Sequence, residues 1–132
     1  MTDDVTVVIE REFACPPEKL WRALTTPHLL AEWLMQNDFK PEVDHRFKFT
    51  ADWGSVDCKV LVIDPLKELS CSWAAMGVDT ITTFFLTPTA NGTRLRVEQA
   101  GFREDQNYAS EGAKLGWQNF LQRLDPVVSR LN

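Results

Sequence analysis

From Val5 to Phe13 apolar and polar residues alternate, with Val5, Val7, Ile9 and Phe13 on one face of a predicted strand. Pro16-Pro17 ends it, and Pro17 suits the first position of a helix, where its missing N–H would have no partner anyway. Leu20, Trp21 and Leu24 then fall at helical spacing as far as Thr25. Thr26-Pro27 repeats the start signal, with Thr26 as N-cap, and a second short helix carries Leu29, Leu30, Trp33 and Leu34 on its apolar side.

From Phe39 to Arg103 the pattern is β throughout. Phe47 and Phe49 share a face of a strand from His45 to Ala51, and Asp52-Trp53-Gly54 predicts a turn. Val56, Cys58, Val60 and Val62 alternate against polar neighbours, and Asp64-Pro65 closes that run. Leu69, Cys71 and Trp73 follow in alternation, Met76-Gly77 breaks the run, and Thr80 to Thr87 resumes it. Asn91-Gly92 predicts a type I′ hairpin, since both residues tolerate positive φ. Arg94, Arg96 and Glu98 then alternate against Leu95, Val97 and Gln99, a strand with one wet and one buried face. A long helix starts near Tyr108, with Ala113, Trp117, Phe120, Leu121 and Leu124 on one face; Pro126 should kink or end it near Asp125. No repeat, linker or low-complexity segment interrupts the 132 residues, so residues 1–132 read as a single domain.

Composition sharpens this picture in three ways. Five tryptophans and eight phenylalanines supply more aromatic bulk than a core of this size requires. A net charge of −5 without a basic stripe argues against nucleic acid as a partner. No apolar run reaches the roughly 20 residues of a membrane span, and the acidic start Met1-Thr2-Asp3-Asp4 is unlike a signal peptide, so a cytoplasmic location is expected. Three cysteines without CxxC spacing fit reduced thiols, although Cys58 and Cys71 fall on consecutive predicted strands where they can lie near each other.

Several segments carry a family signature: Ala14-Cys15-Pro16-Pro17-Glu18-Lys19-Leu20-Trp21-Arg22-Ala23-Leu24, Thr26-Pro27 before Trp33, and Asp64-Pro65 before Leu69 and Trp73. Asn91-Gly92-Thr93-Arg94-Leu95 and Gly116-Trp117 with Leu121 extend it over nearly the whole chain. The sequence thereby resembles the heat-shock-protein-90 ATPase activator-like family of the START-like superfamily. The resemblance implies the α+β helix-grip fold, a curved antiparallel sheet wrapped around the long C-terminal helix, with two short helices after the first strand. It also implies a sheet–helix cavity, in a superfamily whose members bind lipids, sterols, hormones, polyketides or protein partners. One departure stands out. Asp44-His45-Arg46 occupies the place of a usual Gly-Gly pair, and is expected to alter the backbone path or the cavity mouth.

The chemistry on offer is sparse. His28 and His45 have no carboxylate or cysteine motif around them, so no metal site is expected. No Gly-rich phosphate loop, GxSxG or ordered Ser-His-Asp set appears, and no cofactor is expected. Asp52, Asp57 and Asp79 fall at turns or strand edges. What remains is a set of apolar residues from separate elements, Trp33, Phe49, Trp53, Trp73, Phe84, Trp117 and Leu121, as cavity lining. Gln99 and Arg11, which fall on otherwise apolar strand faces, are the polar anchors. The first reading is non-catalytic binding of a small apolar or amphipathic molecule. The second is an interaction module that docks a chaperone or other protein through an acidic sheet face. The third is an enzyme of the cyclase or hydrolase kind.

Overall fold

A computed structural model describes residues 5–131; the acidic segment of residues 1–4, read above as leading into the first strand, lies outside them. The elements are β1 (Val5–Phe13), α1 (Pro17–Thr25), α2 (Pro27–Trp33), β2 (Gln36–Asn37), β3 (Arg46–Ala51), β4 (Gly54–Asp64), β5 (Glu68–Ala75), β6 (Val78–Thr89), β7 (Gly92–Phe102) and α3 (Asn107–Ser129). The strands form one curved antiparallel sheet in the order β1-β7-β6-β5-β4-β3-β2. Hairpins join β3 through β7 in sequence, and β1 returns to pair with β7. The 23-residue α3 packs against β1 and β7 and against α1 and α2. This is the α+β helix-grip arrangement.

Alternation places the core where the pattern predicted it. Phe47, Phe49, Val56, Cys58, Val60, Leu69, Cys71, Trp73, Phe84, Leu86, Leu95 and Val97 are all buried on the sheet's inner face. Leu20, Ala23, Leu24, Leu29, Leu30 and Trp33 close one end from α1 and α2. Pro17 and Pro27 each open a helix as expected, although Thr26 makes no side-chain cap bond.

The structure departs from the sequence expectation in several places. Val62 is exposed, because a bulge between Val60 and Val62 shifts the register of β4 and turns the following residues over. The hairpin before β7 turns on Ala90 and Asn91, neither with positive φ. Gly92 is already in β7, and it is needed for close approach: a Cβ there would lie 2.0 Å from the Phe13 carbonyl oxygen. The left-handed two-residue turn is instead Met76-Gly77, with φ of 51° and 82°. Finally, α3 runs through Pro126 to Ser129, because Val127 and Val128 are buried beyond the proline and hold the last turn in place.

Asp44 answers the question posed by the missing glycines. It takes the left-handed conformation itself, with φ of 72°, and the chain on either side stays bonded to Val60: Asp44 N–H to Val60 O at 2.8 Å and Val60 N–H to His45 O at 3.0 Å. An aspartate tolerates that region better than most residues. None of Asp44, His45 or Arg46 reaches the cavity described next, so the expected effect on its mouth is absent.

Candidate binding cavity between sheet and helix

The two halves of α3 differ in side-chain size. Its C-terminal half presents Leu121, Leu124, Val127 and Val128, all buried in the core. Its N-terminal half presents Ala109, Gly112, Ala113 and Gly116, at three- and four-residue steps on one face. A Cβ added at Gly112 or Gly116 would meet nothing within 4 Å. The helix therefore grips the sheet at one end and stands off it at the other.

The stand-off leaves a cavity of about 580 Å³, a size typical of small-molecule sites. Its sheet wall is Val56, Trp73, Ala75, Val78, Gln99 and Phe102, and its helix wall adds Trp117 and Phe120 to the four small residues. Met35 also contributes, while Trp53, Met76 and Tyr108 stand at the mouth. Those three are exposed, Tyr108 at 95% and Met76 at 84%. The wall carries no Asp, Glu, His, Lys, Arg or Cys.

Gln99 is the one polar side chain buried in this wall, at 3% exposure. Its Oε1 accepts the indole N–H of Trp117 at 2.8 Å, and its Nε2 donates to Thr80 Oγ1 at 2.9 Å. Thr80 in turn donates to the Trp73 carbonyl at 2.9 Å. This relay holds the Trp117 indole through its N–H and ties it to the β5 backbone at Trp73, and the two indole rings lie 5.3 Å apart between centroids.

The residues expected to line a site divide into two groups. Trp53, Trp73, Gln99 and Trp117 line the cavity. Trp33, Phe49, Phe84 and Leu121 lie behind it. Trp33 is fully buried and donates its indole N–H to the Ala23 carbonyl at 3.0 Å. Phe49 and Phe84 flank a void of only about 10 Å³, barely room for one water. They still belong to one chain of touching rings, with Phe49 at 5.3 Å from Trp73 and Phe84 at 5.7 Å from Trp117. Leu121 is packed in the core one turn beyond Trp117. Arg11 does not act as a second anchor: its guanidinium pairs with Asp125 at 2.7 Å, away from the cavity wall. Sequence reasoning found Trp117 but missed the small helix residues Ala109, Gly112, Ala113 and Gly116, and the sheet residues Val56, Ala75, Val78 and Phe102; the small-residue stripe was the signal for the first group.

The thiols and histidines offer no alternative centre. Cys15, Cys58 and Cys71 are free and buried. Burial pushes the Cys71 thiol up to about 12, and burial, the neighbouring Cys71 and Asp57 push Cys58 higher still. His28 is exposed, and His45 Nε2 bonds the Asp38 carbonyl at 3.1 Å. Among the described residues no group of three or more His, Cys, Asp or Glu is placed to hold a metal. No helix among them is long and apolar enough to cross a membrane.

Sheet, helix and cavity together define a helix-grip protein, a scaffold for ligand binding or for interaction. The sequence matches the model of the Activator of Hsp90 ATPase homolog 1-like protein family over residues 14–129, and the chain belongs to that family. Protein MLL2253 from Mesorhizobium loti is 52% identical, over 97% of this chain and 99% of that one, with a TM-score of 0.92. Protein BH1534 from Bacillus halodurans is 29% identical, over 97% and 99% of the two chains, with a TM-score of 0.84. DynU16, from the dynemicin biosynthetic locus, is 21% identical over 95% of this chain and 47% of its own, with a TM-score of 0.86; that likeness is one of fold. Among the curated proteins none matches.

Proposed function

We propose that the protein binds a small apolar or amphipathic molecule in the cavity between the sheet and the N-terminal half of α3, without transforming it. The observation that carries this reading is the small-residue face of α3. Glycine inside a helix costs about 1 kcal/mol relative to alanine, yet Gly112 and Gly116 face open space rather than a close neighbour. They leave the helix wall bare of side chains at these two positions, beside a cavity of about 580 Å³ that six aromatic residues also line. General acid–base chemistry needs a titratable group within reach of the substrate. The exposed Tyr108 phenol is the only such group in the lining.

Docking of a protein through an acidic sheet face has less support. The outer face is mixed in charge and internally paired, Arg96 with Glu98 at 2.7 Å, Lys48 with Asp57 at 3.4 Å and Lys59 with Asp44 at 3.5 Å.

Titration with a neutral fluorescent hydrocarbon-like probe, N-phenyl-naphthylamine, tests the cavity. Saturable binding in the low micromolar range is expected. Ala113→Phe, which places a ring in the cavity, should weaken it about tenfold or more, a loss of about 1.4 kcal/mol or greater. Absence of saturable binding by the folded protein, or equal affinity in the variant, would sink the reading.

A further inference from the structure

The polar relay in the wall has a fixed direction, and that direction says what the ligand must offer. An indole N–H only donates, so the amide oxygen of Gln99 must face Trp117. A backbone carbonyl only accepts, so the Thr80 hydroxyl must spend its proton on Trp73 and receive from Gln99. A primary amide has two N–H groups, and the relay uses one of them. The second belongs to a side chain 97% buried in the cavity wall, and the described residues supply no partner for it. A buried donor left unpaired is costly, and a partner that supplies an acceptor recovers that cost.

Charge narrows the choice further. The segments around the mouth carry Asp52, Asp79, Glu104, Asp105 and Glu111 against Arg103 and Lys114, and Arg103 is already held by Asp105 at 3.2 Å. An anionic ligand would shed its hydration in a wall that has no cation, in a chain whose net charge is −5. The ring faces of Trp73, Trp117, Phe102 and Phe120 favour a partner that is itself aromatic.

We infer that the cavity selects an uncharged, largely aromatic molecule bearing one hydrogen-bond acceptor, such as a ketone or ester carbonyl, which takes the second side-chain N–H of Gln99. This rests on the cavity being the binding site. Three naphthalenes substituted at the same ring position separate the two ideas: the acetyl ketone, the near-isosteric isopropenyl hydrocarbon and the carboxylate.

Isothermal titration at neutral pH should find the ketone bound about five- to tenfold tighter than the hydrocarbon, the value of one such hydrogen bond, and the carboxylate weakest. Gln99→Met, which keeps the volume and removes the donor, should erase the ketone preference. Gln99→Met combined with Trp117→Phe removes the orphaned indole as well and serves if the single variant does not fold. In labelled wild-type protein the ketone, but not the hydrocarbon, should shift one side-chain amide proton of Gln99. If none of the three binds, the cavity reading itself falls. Equal binding of ketone and hydrocarbon to the wild type, a ketone preference that survives loss of the amide, or tighter binding of the carboxylate leaves the cavity intact and overturns the inference.

Discussion

Replacing Gly112 and Gly116 by alanine together should stabilise the protein and impair the cavity at the same time. Each added Cβ meets no atom within 4 Å, so neither methyl has to be accommodated by movement. Both positions lie inside α3, well clear of its ends. Each substitution then contributes the ordinary glycine-to-alanine gain of about 0.8–1.0 kcal/mol, mainly from lost freedom in the unfolded chain. Helix propensity is summed residue by residue, so the two together should contribute about 2 kcal/mol. For a chain of this size that corresponds to roughly 6 °C in melting temperature. The methyls also narrow the cavity along its helix wall, so affinity for N-phenyl-naphthylamine should fall as stability rises. Denaturant midpoints at constant m-value and probe titrations on the same samples measure both effects. A loss of stability would mean that this helix face packs tightly and that the stand-off from the sheet is wrong. A gain of stability with unchanged probe affinity would place the probe somewhere else.

Two further perturbations test the interior. Thr82 is fully buried on β6 with its hydroxyl unpartnered among the described residues, so Thr82→Val should raise stability by about 1 kcal/mol, the desolvation cost it removes; a loss of that size in the denaturant midpoint would show that the hydroxyl is bonded after all. Burial holds Cys58 and Cys71 neutral in the fold with raised pKa values, about 12 for Cys71, whereas the unfolded thiol ionises near 9.0. The stability this confers is complete below pH 9 and is lost as pH rises from 9 towards 12, by about 1.4 kcal/mol per pH unit for each thiol. Denaturant midpoints between pH 7 and 10.5 should show that decline, and Cys71→Ala should make it shallower while the Cys58 share remains; equal slopes in both proteins would contradict the burial argument.

What residue order alone determined was the set of elements and their inner faces. Alternation in β3 to β7, the paired starts at Pro17 and Pro27, and the spacing of Trp117, Leu121 and Leu124 are local signals, each set by backbone period and proline chemistry. They sufficed for the order of elements and for the aromatic character of the interior, and the family resemblance added the helix-grip fold. What needed the tertiary structure were the features set by how elements meet. The bulge that turns Val62 outward depends on the partner strand β5, and the demand for glycine at 92 comes from the Phe13 carbonyl, 79 residues earlier. Arg11 and Gln99 look alike in the pattern, as polar residues on apolar faces. Only the packing of α3 pairs one with Asp125 and leaves the other in the cavity wall beside Trp117. Trp33 and Trp73 are equally aromatic, and only packing separates them: Trp33 is fully buried against Phe84 with its N–H on the Ala23 carbonyl, whereas Trp73 lines the cavity that the small residues of α3 border. A cavity is a difference between two surfaces, and no single stretch of sequence contains both.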